Sequence, residues 1–316
     1  MPASQPAKPG PASSALSMSV TDWLLLLVLS VLWGGSFYFA KIAVLEIPPL
    51  TLALGRVAIA AAALAIFARA IAVPFPRDAT TWAHLAVMAV FNNVVPFVLI
   101  FWGQIHISVG LASILNATSP LFGVLMAHMV THDDRLSAGR VAGLLAGFAG
   151  VVVLIGPDLV TDLGHNVLAE LGCLLAACSY GIGAVLTRRV RTLSPVMVAT
   201  GQLTMSTVLL LPVVLLFDRP ETLFAASRAA IWALVSLALL SSALAYLIYF
   251  RIIARAGATN ALLSTFLIPV SAILMGIVLL DETVNARQLA GMAAIFIGVA
   301  AIDGRMARSI ARALRR

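Results

Sequence analysis

Long stretches without a charged residue constrain this chain more strongly than any other feature of its sequence. No Asp, Glu, Lys or Arg occurs over the 54 positions between Asp78 and Asp133, and seven further charge-free runs hold 15 to 26 residues each. About 20 apolar residues of helix cross the hydrocarbon core of a bilayer. Hydrophobic residues make up 61% of the chain and charged residues 10%, against roughly a quarter charged in ordinary globular proteins. The sequence therefore predicts an all-α integral membrane protein.

The charge-free runs divide into ten predicted transmembrane helices. The longest run must cross the membrane twice, and its polar stretch Gly103-Gln104-Ile105-His106 is the predicted break. The segment from Glu46 to Arg69 makes a further helix despite Arg56 within it, and the shortest span is completed by Arg287 reaching toward the interface. The predicted spans are residues 22–40, 50–69, 82–102, 108–129, 139–156, 167–187, 195–217, 229–250, 258–280 and 287–303.

The distribution of Lys and Arg predicts the orientation. With the N-terminus inside, 15 of the 20 basic residues fall in cytoplasmic segments and four fall outside, as the positive-inside rule requires. We expect a multi-pass protein of the cell inner membrane with both termini cytoplasmic. Residues 1–21, with four prolines, are predicted to be a disordered cytoplasmic arm, and residues 304–316 a basic cytoplasmic tail. An uncleaved first helix is favoured over a signal peptide, because no small-residue cleavage site follows the first apolar run.

The two halves of the chain resemble each other. Segments align at offsets of 147 to 149 residues: Trp33-Gly34 with Tyr180-Gly181, Asn92-Asn93 with Ser241-Ser242, and Pro120 with Pro269. We expect a first repeat over residues 22–156 and a second over residues 167–303, each with five helices. An odd number of spans inverts the second copy in the membrane. Inverted repeats are typical of secondary transporters, whose substrate site lies between the halves.

Short motifs lie along the two repeats. They are Val31-Leu32-Trp33-Gly34-Gly35-Ser36-Phe37, Lys41, Pro48-Pro49, Arg56, Leu111-Ala112-Ser113, Ser119-Pro120, Asp133-Asp134-Arg135-Leu136 with Gly143, and Leu280-Asp281-Glu282-Thr283 before Gly291. Over about residues 22–303 these motifs resemble the EamA-type repeat of the drug/metabolite transporter superfamily, ten-helix branch. The resemblance implies ten helices in two inverted repeats around a central cavity, and secondary transport. Within the superfamily, the chain is similar to bacterial YddG-like exporters of aromatic amino acids.

Neutral polar side chains in the middle of predicted spans are candidates for lining that cavity. In lipid such groups need hydrogen-bond partners or a wet cavity. One interpretation is a polar pore lining that contacts substrate. The other is hydrogen bonding between helices, which membrane proteins use routinely. The candidates are Asn92, Asn93, Asn116, Ser241, Ser242 and Thr265.

Aromatic side chains form a second group of candidates. Trp33 and Tyr180 occupy equivalent positions in the two repeats, each next to a glycine, and are predicted to face the cavity, where they could stack on a planar substrate. Tyr246 is a further candidate in the eighth helix. Trp102 and Tyr249 lie near predicted helix ends, where an interfacial aromatic belt is the alternative.

Arg56 is the one charge well within a predicted span. It either meets a substrate carboxylate through its two-pronged guanidinium, or it has a structural role, extending to the interface or pairing with Glu170. Three prolines lie inside predicted helices and leave backbone carbonyls without a donor. They are either hinges or static kinks, and the residues are Pro96, Pro120 and Pro269.

These observations predict a secondary transporter that exports small organic metabolites, above all aromatic or other neutral amino acids. All acidic residues fall at predicted helix ends or in loops, so we expect alternating access without a proton-carrying carboxylate at the midplane. Apart from the substrate, the lipid bilayer is the expected partner. No catalytic residue, cofactor, metal site or nucleic-acid partner is expected, and Cys173 and Cys178 are interpreted as core thiols. The alternatives are a drug or other metabolite exporter of the same superfamily or, in a different class, an intramembrane lipid-modifying enzyme or a scaffold.

Overall fold

The described part of the chain is built from helices joined by short connections. The computed structural model describes residues 18–130, 138–155, 165–190, 192–218, 220–261 and 263–303, and these ranges contain no β-strand. The expected all-α fold is confirmed over these residues. Most of the predicted N-terminal arm, the basic tail and the acidic turn at Asp133-Asp134 lie outside them.

Helices α1 to α10 hold most of the described residues. Their bounds are Val20–Val44 (α1), Pro49–Ala70 (α2), Ala79–His106 (α3), Val109–Val130 (α4), Ala138–Ile155 (α5), His165–Leu186 (α6), Pro195–Phe217 (α7), Arg228–Ala256 (α8), Ser264–Leu280 (α9) and Ala286–Asp303 (α10). Seven are long and apolar enough to cross a bilayer, while α5, α9 and α10 are shorter apolar helices. The predicted ninth span, 258–280, is divided, because a short helix Ala258–Ala261 precedes α9.

The longest charge-free run forms two helices as predicted, but the break lies at residues 107–108, just after the polar stretch 103–106. Helix α3 continues to His106, and the hydroxyl of Ser108 caps the start of α4. The side chain of Gln104 is fully buried, and its amide donates a hydrogen bond of 2.8 Å to the carbonyl of Phe37. A polar residue with a partner of this kind can remain in a membrane helix, since its NH2 group finds an acceptor inside the protein.

Two helices contain a π-helical turn at equivalent places in the two halves. The turns are Val90–Val94 in α3 and Leu239–Leu244 in α8, and they begin 149 residues apart. Pro96 has no N–H to donate to the carbonyl of Asn92, which favours a change of helical geometry there. No proline follows the turn in α8, so proline is not the common cause. π-Helical turns are frequent at functional sites.

The other two predicted hinge prolines differ in their surroundings. Helix α4 is interrupted at residues 117–118, just before Pro120, and the hydroxyl of Ser119 donates a 2.6 Å hydrogen bond to the carbonyl of Asn116 that the proline cannot satisfy. Pro269 lies within a continuous α9, as does Pro212 within α7, which the sequence analysis did not single out. Motion at these prolines stays a prediction.

The principal helix contacts are preserved when each helix is exchanged with the one five places along. Helix α2 packs against its counterpart α7, and α5 packs against its counterpart α10. The contact of α1 with α9 is matched by that of α6 with α4, and the contact of α1 with α8 by that of α6 with α3. The internal sequence repeat therefore corresponds to a two-fold arrangement of helix contacts.

Glycines allow the closest of these contacts. A Cβ atom on Gly34 would lie 2.9 Å from the backbone of α9, and one on the equivalent Gly181 would lie 2.8 Å from the backbone of α4 at Gly123. In the α5–α10 pair, a Cβ on Gly150 would lie 2.8 Å from the carbonyl oxygen of Gly291. Only a residue without a side chain lets two helix backbones approach this closely.

We predict that Gly298→Ala destabilises the protein by about 1–3 kcal/mol, because its Cβ would lie 2.5 Å from the backbone nitrogen of Gly147 and the backbone must move. Gly35→Ala is the matched control, since its Cβ would lie 3.6 Å from the Met275 sulfur, an ordinary contact. Thermal unfolding in detergent should show a lower Tm for the first variant alone. Equal melting temperatures for both variants would contradict the packing described for α5 and α10.

Candidate functional site

A cavity of about 570 Å³ lies between the two halves. Its walls include residues from the first and second helical repeats, with predominantly apolar and aromatic side chains and a small number of polar groups, which is typical of small-molecule sites. Ten of the thirteen residues predicted as site or hinge residues line it: Trp33, Arg56, Asn92, Asn116, Pro120, Tyr180, Ser241, Tyr246, Thr265 and Pro269.

Asn93 and Ser242, which were predicted substrate contacts, and Pro96, a predicted hinge, are not among the described residues that line the cavity. Consecutive residues of a helix point about 100° apart, so only one member of each polar pair faces the cavity. Asn93 is fully buried and donates to the hydroxyl of Ser206 at 3.1 Å. Ser242 accepts a hydrogen bond from Arg56, and Pro96 is buried in α3.

Each π-helical turn is held by the second helix of the other half. In the α8 turn, Ser242 accepts a 2.9 Å hydrogen bond from the Nε of Arg56 on α2. In the α3 turn, the amide of Asn92 donates to the side-chain oxygen of Gln202 on α7 at 3.3 Å. The polar pairs predicted from the repeat therefore fit both interpretations that the sequence left open. One member of each pair lines the cavity, and Asn92, Asn93 and Ser242 form hydrogen bonds between helices.

Gln202 is a functional candidate that the sequence analysis missed. Its side chain contacts Asn92 and donates to the hydroxyl of Tyr246 at 3.3 Å, which joins two cavity residues from different halves. A glutamine inside a long apolar run was a visible signal. The position aligned with it in the first repeat is Gly55, so Gln202 has no polar counterpart there.

Arg56 is buried, with 7% of its surface exposed, and it reaches the cavity wall. Its guanidinium carbon lies 3.8 Å from the ring centroid of Phe97, in cation–π contact,. The predicted structural pairing with Glu170 is wrong, because the side chain instead donates to Ser242. No carboxylate of the described residues forms an ion pair with Arg56.

The aromatic candidates lie at different depths in the bundle. Trp33 and Tyr180 both line the cavity. Trp33 packs against Tyr249, with ring centroids 5.3 Å apart. Trp102 makes an edge contact with His106 at the end of α3 and is not part of the cavity wall. Tyr249, predicted to lie near a helix end, therefore packs beside a residue of the cavity wall.

One end of the bundle, which we call the latched face, is closed by polar contacts between the two halves. Glu282 accepts hydrogen bonds from the backbone N–H groups of Val109 and Gly110 at 2.7 and 3.2 Å, at the start of α4. A carboxylate there also interacts favourably with the helix dipole. Lys41 donates to the carbonyl of Ile107 at 3.0 Å. These contacts join the end of α1, the α3–α4 connection and the α9–α10 connection.

Two further contacts close the latched face. Thr51 donates from its backbone and its hydroxyl to Asp218, both at 2.8 Å. Ser227, at the start of α8, donates to Glu46 in the α1–α2 connection at 2.6 and 2.7 Å. These hydrogen bonds lower the pKa of the Glu46 carboxyl below its usual value, so the contact is retained into mildly acidic solution.

The cavity extends from beneath the latched face to the opposite face. Near the latched face the cavity is lined by Gln104, which lies two residues before the end of α3. At the other end the lining includes Ala127 near the end of α4, Arg140 at the start of α5 and Ile302 at the end of α10. The chamber is therefore closed at one face by contacts between the halves and runs toward the other.

No Asp or Glu is among the described residues that line the cavity. Within the described ranges, no group of three or more His, Cys, Asp or Glu is arranged to hold a metal ion. Cys173 is buried and Cys178 half-buried, and both are free thiols.

The fold and the chamber define a multi-pass membrane protein with a site for a small molecule between two related halves. The sequence profile of the EamA-like transporter family matches this chain twice, over residues 22–156 and 167–302. The chain belongs to this family of the drug/metabolite transporter superfamily, which confirms the resemblance found in its motifs.

Two relatives and one solved structure illustrate the similarity. The chain is 29% identical to a "Probable terminal-alkyne amino-acid exporter" of Streptantibioticus cattleyicolor, over 92% of this chain and 95% of that protein. It is 26% identical to a "Probable amino-acid metabolite efflux pump" of Salmonella typhimurium, over 89% and 94%. A crystal structure at 22% identity has a TM-score of 0.64 and covers 94% of this chain and 99% of its own. The last comparison supports the fold alone.

We predict that adjacent residues of α9 differ in their access to water-soluble reagents. Thr265 lines the cavity, whereas Ser264 is 3% exposed and donates to the carbonyl of Ala261. In a background with both native cysteines replaced by alanine, Thr265→Cys should react with a small methanethiosulfonate cation, and Ser264→Cys should react at least tenfold more slowly. Equal rates would show that the chamber is not a water-filled space lined as described.

Proposed function

We propose that this protein is a secondary transporter that exports small organic metabolites, with aromatic and other neutral amino acids as the first candidates. The observation that carries the proposal is the chamber between the halves, which is closed at the latched face and extends to the opposite face. A site of this shape releases a molecule to one side at a time once the halves rock about it. Its volume lies in the range of small-molecule pockets.

In this proposal α5, α9 and α10 also cross the bilayer, so that ten spans form two inverted five-helix repeats. Support comes from the exchange of helix contacts between the halves and from the odd number of helices in each. The excess of basic residues at the face opposite the latched face favours a cytoplasmic position for that face and for both termini. The latched face then lies outside the inner membrane, and the chamber extends toward the cytoplasm.

Aromatic or neutral amino acids suit the chamber chemically. Trp33 and Tyr180 offer flat apolar surfaces, while Asn92, Asn116 and Ser241 offer neutral hydrogen-bonding groups. The names of two relatives point to amino-acid export, and the motifs resemble those of YddG-like exporters. The apolar lining around Phe97 and Phe101 also suits an apolar drug, which makes a drug exporter of the same superfamily the second candidate.

Transport without proton coupling is part of the proposal. A proton-coupled carrier commonly places a carboxylate where it titrates within the substrate pathway. The described cavity lining holds no such group. The substrate would then move down its own gradient, as suits an overflow route for a metabolite in excess.

The test is flux of radiolabelled phenylalanine, tyrosine and tryptophan into liposomes that contain the purified protein. We expect saturable equilibration of at least one of them that stops at equal concentrations inside and outside, with or without an imposed pH gradient. Accumulation driven by the pH gradient and abolished by a proton ionophore would refute uncoupled transport. Failure of all three, together with flux of an apolar drug, would favour the second candidate.

We predict that Trp33→Ala and Tyr180→Ala each raise the half-saturation concentration of an aromatic substrate about fivefold, since loss of one stacking contact costs about 1 kcal/mol. Trp232→Ala is the matched control, because this side chain on α8 is 69% exposed on the outer surface of the bundle. All three variants should be as abundant as the unmodified protein. Unchanged transport in both cavity variants and in the double variant would assign Trp33 and Tyr180 to packing.

A further inference from the structure

The chamber contains a buried cation whose hydrogen-bonding capacity is largely unused by the protein. A guanidinium has five N–H donors. Within the described part of the chain, Arg56 makes one hydrogen bond, from Nε to Ser242, and no ion pair. The ring of Phe97 covers it at 3.8 Å, and Phe101 lies 5.9 Å from the guanidinium carbon. The charge therefore sits among apolar rings at the wall of the substrate chamber.

A charge in this setting is costly unless an anion compensates it. Burial of an unpaired charge is unfavourable, whereas a well-oriented ion pair with additional hydrogen bonds recovers much of that cost. The bond to Ser242 fixes Nε and so orients the plane of the guanidinium. The terminal nitrogens then present two parallel donors, the geometry that binds a carboxylate with two hydrogen bonds.

Other donors lie beside this cation. The Ser241 hydroxyl, in the same π-helical turn as Ser242, lines the chamber and is buried without a hydrogen-bond partner among the described residues. Tyr180 and Tyr246 line the same chamber as Arg56. A carboxylate at Arg56, which belongs to the first half, would therefore have hydroxyl groups of the second half in the same chamber.

The rest of the chamber lacks a matching site for a cation. The unsatisfied acceptors among its described lining are the side-chain amide oxygens of Gln104 and Asn116 and the hydroxyl oxygen of Ser241, which are all neutral. The charged residues of that lining are two arginines, Arg56 and Arg140. An ammonium group gains at most neutral hydrogen bonds here and is repelled by Arg56, while a carboxylate is attracted.

We infer that Arg56 is the subsite for the carboxylate of the substrate, and that the carboxylate, rather than the ammonium group, is what the chamber recognises. The inference rests on the proposed transport function and narrows its substrate class to small carboxylic acids with an apolar or aromatic body. Deaminated aromatic acids belong to this class together with the amino acids, and decarboxylated amines do not.

The test is a set of binding measurements by calorimetry on the purified protein, with three ligands that share one phenyl ring. Phenylalanine carries both charged groups, 3-phenylpropionate lacks the ammonium, and 2-phenylethylamine lacks the carboxylate. Both acids should bind about tenfold to a hundredfold more tightly than the amine, the factor expected for charge-assisted hydrogen bonds. These measurements use the unmodified protein. If the amine bound as tightly as the acids, or if neither acid bound at millimolar concentration, the inference would be overturned.

Variants then assign the preference to Arg56. Arg56→Gln should remove the tighter binding of the acids and leave binding of the amine unchanged. Arg56→Lys keeps the charge but lacks the paired donors of the guanidinium, so it should retain part of the preference for acids. Arg69→Gln is the matched control, an exposed arginine on the same helix. Full preference for acids in folded Arg56→Gln would overturn the assignment. Acid binding that depends on Arg56 in a protein without flux would refute the transport function and leave the subsite standing.

Discussion

Hydrogen bonds between the two halves at the π-helical turns hold the centre of this protein together. A hydrocarbon environment offers polar groups no partner, so each must be satisfied inside the protein or along a water-filled space. Arg56 meets the α8 turn at Ser242, and Gln202 meets the α3 turn at Asn92. Because each bond crosses from one half to the other, the same residues that satisfy polar groups also place the chamber at the boundary between the halves.

The two faces of the bundle differ in how the halves contact each other. The latched face brings Glu282 onto the start of α4 and Asp218 onto Thr51, bonds that involve ionised side chains. Such charge-assisted bonds are strong and directional, yet partly buried ones can be replaced by bonds to water when the face opens. A closure of this kind is suited to repeated opening. Glycine contacts such as those at Gly150 and Gly291, by contrast, allow little rearrangement,, and would move as rigid pairs.

Much of this architecture could be predicted from the sequence, because lipid imposes simple rules. Charge-free runs gave the helices, and the aligned segments gave equivalent positions such as Trp33 and Tyr180, which both reach the chamber. The sequence did not separate neighbours such as Ser241 and Ser242, because their different directions depend on helix rotation. It also missed Gln202, which lacks a polar counterpart in the first repeat. The break lies just after residues 103–106, rather than within them, because Gln104 finds its partner on another helix.

The central claim is that one chamber serves both faces in turn, and counterflow tests it most directly. Liposomes with the purified protein are loaded with a high concentration of unlabelled phenylalanine and diluted into a trace of labelled phenylalanine. Alternating access predicts a transient accumulation of label inside, above its external concentration, which decays as the unlabelled pool escapes. Label that rises monotonically to the external concentration, at a rate independent of the internal load, would contradict the account.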